Sequence, residues 1–67
     1  MSLHPPEIFT PAALARMPGA HVVDRCDGTH HVVDHVEHPP GQEYLIFFAD
    51  GTRMFAGARH PFTRDQP

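Results

Sequence analysis

The sequence predicts a small α+β domain, in which a short N-terminal helix precedes a four-stranded antiparallel β-meander, left open or curled into a small SH3-like barrel. The chain has 67 residues, of which 40% are apolar, so it can build one thin core and a single domain, 1–67. A run of helix formers comes early, and apolar residues then alternate with a period of two. Two Asp-Gly pairs separate such alternating runs, as in β-hairpins.

The first predicted element is a helix at 10–18, preceded by an extended lead-in at 1–9. Thr10 has the side chain of an N-cap, and Pro11 falls at the first helical position, where its missing N–H costs nothing. Alanines and a leucine follow, and a Pro-Gly pair ends the helix. Two turns are too short to be stable alone, so we expect the helix to pack against a sheet.

The sheet is predicted within 21–56, and the tail at 57–67 is predicted to be irregular, with Phe62 as its only anchor. The four predicted strands are 21–26, 29–38, 43–49 and 52–56. Two-residue turns at Asp27-Gly28 and Asp50-Gly51 and a four-residue loop would join them, giving a meander with the helix on one face.

A tetrapeptide, His-Val-Val-Asp, occurs twice, at 21–24 and 31–34. A two-residue turn at Asp27-Gly28 would pair the copies antiparallel, so that each histidine faces the aspartate of the other copy. Such oppositely charged pairs on neighbouring strands each stabilise a sheet by about 0.2–1 kcal/mol. We therefore interpret the repeat as a device that fixes strand register.

The same turn lengths assign side chains to two sheet faces. The helix is expected on the face with Val23, Val32, Leu45 and Phe47. The predicted binding surface is the opposite, mixed face, with residues His31, His35, Tyr44, Phe48, Arg53 and Phe55. Because 44–48 is apolar on both sides, it is typical of a strand covered on both faces. One short helix covers one face only, so we expect a homodimer or another protein partner on the second.

Charge and composition exclude several function classes. Five arginines, without any lysine, face eight acidic residues, for a net charge of −3, which does not suit sequence-blind nucleic-acid binding. We expect no membrane span and no signal peptide, because the apolar runs are too short. Cys26 is the only cysteine, so an internal disulfide is excluded and a cytoplasmic location is expected. A helix before a meander resembles many small bacterial modules, an outline too general to transfer function.

Seven histidines make a metal-binding or pH-responsive module the main alternative, although we expect no cofactor. Protonating all seven would change the formal charge from −3 to +4. His31 and His35 lie about 13 Å apart along a strand, too far to share an ion. Asp24, Cys26 and His31 form a better cross-strand set, and its ion would be zinc or nickel.

The same Asp24, Cys26 and His31 could form a nucleophilic Cys-His-Asp site. A site beside a turn on an open sheet lacks a cleft and oxyanion donors, which such catalysis needs. We therefore expect a protein that is not an enzyme.

A third alternative is binding of single-stranded nucleic acid. Tyr44, Phe48 and Phe55 beside Arg53 have the outline of a base-stacking platform. Acidic residues on the same predicted face would repel phosphate, so nucleic acid is the less favoured partner.

Overall fold

A computed structural model describes residues 7–65 as one antiparallel sheet of six strands with one short helix. The elements are β1 (Ile8–Phe9), α1 (Pro11–Leu14), β2 (His21–Asp24), β3 (His30–Glu37), β4 (Tyr44–Phe48), β5 (Arg53–Ala56) and β6 (Phe62–Arg64). The strand order is β1-β6-β2-β3-β4-β5, and all neighbours are antiparallel. Within the described residues, no helix has the length and apolar character needed to cross a membrane.

The predicted four-stranded sheet is wrong, because the described parts of the lead-in and of the tail also contribute strands. Residues 1–6 of the predicted lead-in and 66–67 of the predicted tail lie outside the described residues. Phe62 of β6 lies opposite Phe9 of β1 on one side and opposite Asp24 of β2 on the other. Phe9 and Phe62 are both buried, so burial of these two rings stabilises the pairing of strands that are only two and three residues long. The barrel is wrong as well, since the described strands form an open series from β1 to β5.

The helix spans four residues, shorter than the predicted 10–18. The N-cap is confirmed, because the Thr10 hydroxyl oxygen accepts a hydrogen bond from the Ala13 amide at 3.4 Å. After Leu14 the backbone bonds span three residues, as in the bond from Met17 N to Leu14 O of 2.9 Å, so the helix tightens into turns. Leu14 is fully buried and holds the helix against the sheet.

Both Asp-Gly loops are longer than predicted, because each is followed by threonine. In Asp27-Gly28-Thr29 the aspartate Oδ1 accepts from the threonine amide at 3.0 Å and from its hydroxyl at 2.7 Å. Asp50-Gly51-Thr52 repeats this arrangement at 2.9 and 2.6 Å. Both glycines have positive φ, +76° and +91°, which suits glycine. Local side-chain bonds therefore compete with the two-residue turn.

These loops change the strand registers. The Asp24 amide donates to Thr29 O at 2.8 Å, so the first loop has four residues and β2 pairs two positions away from the predicted register. Val22 consequently lies opposite His31, and the predicted His–Asp couples are not formed. The second loop has three residues, which places Leu45 opposite Phe55.

A β-bulge at Asp34 changes the facing of β3. Val33 lies opposite Phe48, but the next paired residue, His35, lies opposite Phe47. The extra residue reverses the alternation of side chains in the second half of the strand. His31 and His35, which strict alternation would place on one face, therefore lie on opposite faces.

The helix covers the face that the sequence predicts to be open. We call it the helix-covered face, and its core comprises Phe9, Leu14, Val22, Val33, Ile46, Phe48, Ala56 and Phe62. We call the opposite side the outer face; it carries Leu45 and Phe47. The predicted assignment is wrong because it omits Phe9 and Phe62, whose rings enlarge the apolar surface on the side of Val22 and Ile46.

Candidate functional site

The six residues of the predicted binding surface are divided between the two faces. His31, Tyr44 and Phe48 lie on the helix-covered face, and His35, Arg53 and Phe55 lie on the outer face. The bulge in β3 and the three-residue loop before β5 cause this division. Phe48 is 4% exposed and Phe55 is 61% exposed, so the predicted aromatic platform for nucleic acid does not occur on one surface.

The outer face carries a compact set of side chains that we call the outer patch. It has two rows across β3, β4 and β5, made of Glu37, Leu45 and Phe55 in one row and His35, Phe47 and Arg53 in the other. Leu45 and Phe47 are half-buried, and the His35 ring stacks on Phe47 with centroids 4.3 Å apart. The acidic residue Glu37 and the basic residue Arg53 stand at diagonally opposite corners of the patch, and Leu45 and Phe47 form the apolar centre between them.

Hydrogen bonds to two carboxylates orient the His35 ring at the edge of the outer patch. Nδ1 lies 2.6 Å from Asp34 Oδ2, and Nε2 lies 3.3 Å from Glu37 Oε2. The bond to Asp34 is the main reason that the pKa of His35 is raised above its ordinary value, and partial loss of hydration opposes the rise. The folded protein therefore holds a proton on this ring more firmly than the unfolded chain does.

Replacing Asp34 with asparagine is expected to lower the pKa of His35, because the negative acceptor on Nδ1 is lost. A raised folded-state pKa contributes stability below the unfolded-state value, and that stability is lost as pH rises through the folded-state value. An NMR titration of the His35 ring would measure the change. Glu37→Gln is the matched control and should lower the pKa less; a larger fall in that variant would contradict the assignment.

Histidine stacking on aromatic rings recurs on the helix-covered face. The His31 ring stacks on Phe48 at 4.0 Å, and the His38 ring stacks on Tyr44 at 3.8 Å. Three of the seven histidines, His31, His35 and His38, therefore pack their planar rings against aromatic side chains of the neighbouring strand.

A second group of polar side chains lies at the end of β2, around a buried carboxylate. Asp24 is 1% exposed. Its Oδ1 accepts hydrogen bonds from the Cys26 amide at 2.8 Å and from His60 Nε2 at 2.7 Å. One ligand atom from each of these three residues lies within 4.8 Å of the other two. We call this group the Asp-Cys-His cluster.

The Asp-Cys-His cluster contains two of the three residues predicted as metal ligands, but His60 takes the place of His31. The His31 Nε2 instead donates to the Thr29 hydroxyl at 2.7 Å, and that hydroxyl donates to Asp27. His60 is brought to Asp24 because the Arg25 amide donates to Pro61 O at 3.0 Å, just before β6. The sequence offered one signal for this contact, the large apolar residue Phe62 in the tail. A phenylalanine at that position can be buried only if the tail returns to the sheet.

No protein-family model, curated protein or solved structure matches this chain. Evidence on function therefore comes from the outer patch and the Asp-Cys-His cluster.

Proposed function

We propose that this protein is a small non-enzymatic binding module that forms a homodimer through the outer patch. The observation that carries the proposal is Phe55, which is 61% exposed beside half-buried Leu45 and Phe47. A contiguous exposed apolar patch with a polar rim is typical of interaction sites, and aromatic residues are enriched in interfaces. The helix packs on the opposite face, so no other described element covers the patch.

A second copy of the chain is the partner that the charges of the patch favour. Glu37 and Arg53 stand at diagonal corners of the patch. A two-fold axis across the patch can therefore place Glu37 of each copy over Arg53 of the other. Such self-complementarity is what an isologous dimer interface requires. With a net charge of −3 per chain, a locally balanced patch is also where two copies repel each other least.

We also propose a cellular compartment and a mode of action for this protein. The compartment proposed is the cytoplasm, where a lone exposed thiol such as that of Cys26 stays reduced. The role proposed for the dimer is presentation of a binding surface rather than catalysis, because the centre of the outer patch is apolar and its polar side chains, those of His35, Glu37 and Arg53, stand at its corners.

Phe55→Asp is expected to weaken dimerisation at least about tenfold, because a carboxylate placed within an apolar contact remains unpaired when it is desolvated. Sedimentation velocity over a range of micromolar concentrations would measure the dissociation constant. The variant should keep its circular dichroism spectrum, since the side chain is exposed in the monomer.

The matched control is Ile8→Asp. Ile8 is similarly exposed, at 55%, and lies on the outer face of β1, at the opposite edge of the sheet. The control should dimerise like the unaltered protein. A monomeric unaltered protein, or equal weakening by both substitutions, would show that the patch is not the interface. Phe48→Asp is unsuitable as a test because Phe48 is a core residue.

A further inference from the structure

We propose that Asp24, Cys26 and His60 form a binding site for one zinc ion, separate from the outer patch. Their ligand atoms already lie within 4.8 Å of one another. Zinc–ligand bonds of about 2.0–2.3 Å in a tetrahedron place the ligand atoms roughly 3.3–3.8 Å apart. The widest pair must therefore close by up to about 1 Å, and Cys26, which is exposed on the loop after β2, can supply much of this by side-chain rotation. Asp24 Oδ1 and His60 Nε2, which lie 2.7 Å apart, must instead open by roughly 0.6 Å to bind the same ion.

The types of donor atom favour zinc over other common divalent ions. The cluster offers one sulfur, one imidazole nitrogen and one carboxylate oxygen. Zinc accepts all three, whereas calcium and magnesium select oxygen ligands. Thiolate and carboxylate together carry two negative charges, so a divalent cation with a neutral imidazole makes a site of zero net charge.

Charge neutrality matters here because Asp24 is buried. A carboxylate that is 1% exposed needs a positive partner or several hydrogen bonds to remain ionised. Its partners in the cluster are the Cys26 amide and His60 Nε2, which each donate one hydrogen bond to Oδ1. A bound zinc ion would compensate the buried negative charge directly.

The backbone holds the three ligands in place before any ion binds. The bond from the Cys26 amide to Asp24 Oδ1 closes a local turn that contains two of the ligands. The bond from the Arg25 amide to Pro61 O fixes the segment that carries the third, and the His60 ring lies 5.0 Å from the ring of Phe62. Three ligands at a partly exposed position leave a fourth coordination site for water or another small ligand.

Zinc binding must displace protons from the cluster. The Cys26 thiol proton passes to solvent as the zinc–sulfur bond forms. The proton that His60 shares with Asp24 passes to solvent or to the other ring nitrogen, which frees Nε2 and the carboxylate oxygen to bind the ion. Apparent affinity should consequently rise with pH.

Calorimetric titration of the untagged, reduced full chain with zinc chloride tests the proposal. We expect one zinc ion per chain. Cys26→Ser and His60→Gln should each reduce zinc affinity by more than about 100-fold, because loss of a residue that only supports a metal ligand already reduces affinity by up to about 100-fold. Cobalt(II) should give a thiolate charge-transfer band that is absent in Cys26→Ser. Zinc should also slow alkylation of Cys26 by iodoacetamide.

The matched control is His31→Gln, which removes a nearby histidine whose ring is bonded to Thr29 and not to the cluster. Zinc affinity should be unchanged in this variant and in Phe55→Asp, so a failure of the dimer proposal leaves the zinc proposal testable. The absence of binding heat, or equal losses in His31→Gln and His60→Gln, would overturn the zinc site. Circular dichroism of each variant distinguishes ligand loss from unfolding.

Discussion

Phe62→Ala is expected to destabilise the fold by about 3–5 kcal/mol, the range for removing a phenylalanine ring from a packed core. Phe62 is fully buried and pairs with Phe9 on one side and with Asp24 on the other. A chain of this length has a total unfolding free energy of roughly 3–10 kcal/mol, so the substitution removes a large part of it. Urea unfolding followed by circular dichroism would measure the change.

Phe55→Ala provides the matched control for this prediction. It removes the same ring from an exposed position on β5 and should change the free energy of unfolding by less than about 0.5 kcal/mol. Both proteins should be compared at a concentration low enough to keep the chain monomeric. If Phe62→Ala is no more destabilising than Phe55→Ala, the tail does not pack as a strand within the sheet.

Asp24→Ala is expected to destabilise the fold by about 2–3 kcal/mol in the presence of a metal chelator. The substitution ends two hydrogen bonds to an ionised acceptor, one from the Cys26 amide and one from His60, and bonds to charged groups contribute about 1.5–3 kcal/mol each. The loss falls below their sum because His60 is partly exposed, at 18% of its side chain, and regains bonds to water. Thermal and urea unfolding would measure it.

Two further substitutions make this prediction specific. Asp34→Ala removes a carboxylate that is 58% exposed and bonded to His35, and it should destabilise the fold much less than Asp24→Ala, because exposed ion pairs contribute little to stability. Asp24→Asn keeps an oxygen acceptor and should cost less than Asp24→Ala. Equal destabilisation by Asp24→Ala and Asp34→Ala would contradict a structural role for the buried carboxylate.

The central part of the sheet was predictable from the sequence. The strands predicted within 21–56 each have a counterpart, and their ends differ by at most two residues. Alternating apolar residues and the Asp-Gly pairs carry this information locally. The predicted N-cap at Thr10 is confirmed for the same reason, because a cap depends on residues three positions apart.

The strand registers were not predictable from the Asp-Gly pairs alone. The threonine that follows each pair adds side-chain bonds to the loop. The first loop gains two residues, which shifts the register of β2 without exchanging its faces, whereas the one extra residue of the second loop moves β5 to the other face. The bulge at Asp34 has the same effect within β3. The bulge and the second loop bring Val36, Met54 and Ala56 to the face of Val22 and Ile46, which Phe9 and Phe62 enlarge further. The helix therefore covers the face predicted to be open.

The Asp-Cys-His cluster could be predicted only in part, because its three residues are very unequally separated in the sequence. Asp24 and Cys26 are two residues apart, so the sequence predicts their proximity. His60 reaches them only through the pairing of β6 with β2, and a strand of three residues has too little periodicity to be recognised. The outer patch likewise needed the correct register of β4 and β5.

Insertion of β6 between β1 and β2 has a consequence for how the chain acquires its fold. The hairpins of β3, β4 and β5 involve neighbours in sequence and can close early, whereas Phe9 and Phe62 meet across 53 residues. A nascent chain therefore cannot complete this half of its sheet during synthesis of β2 to β5. Closure waits until β6 has left the ribosome, and until then the edge of β2 stays available for pairing with other chains.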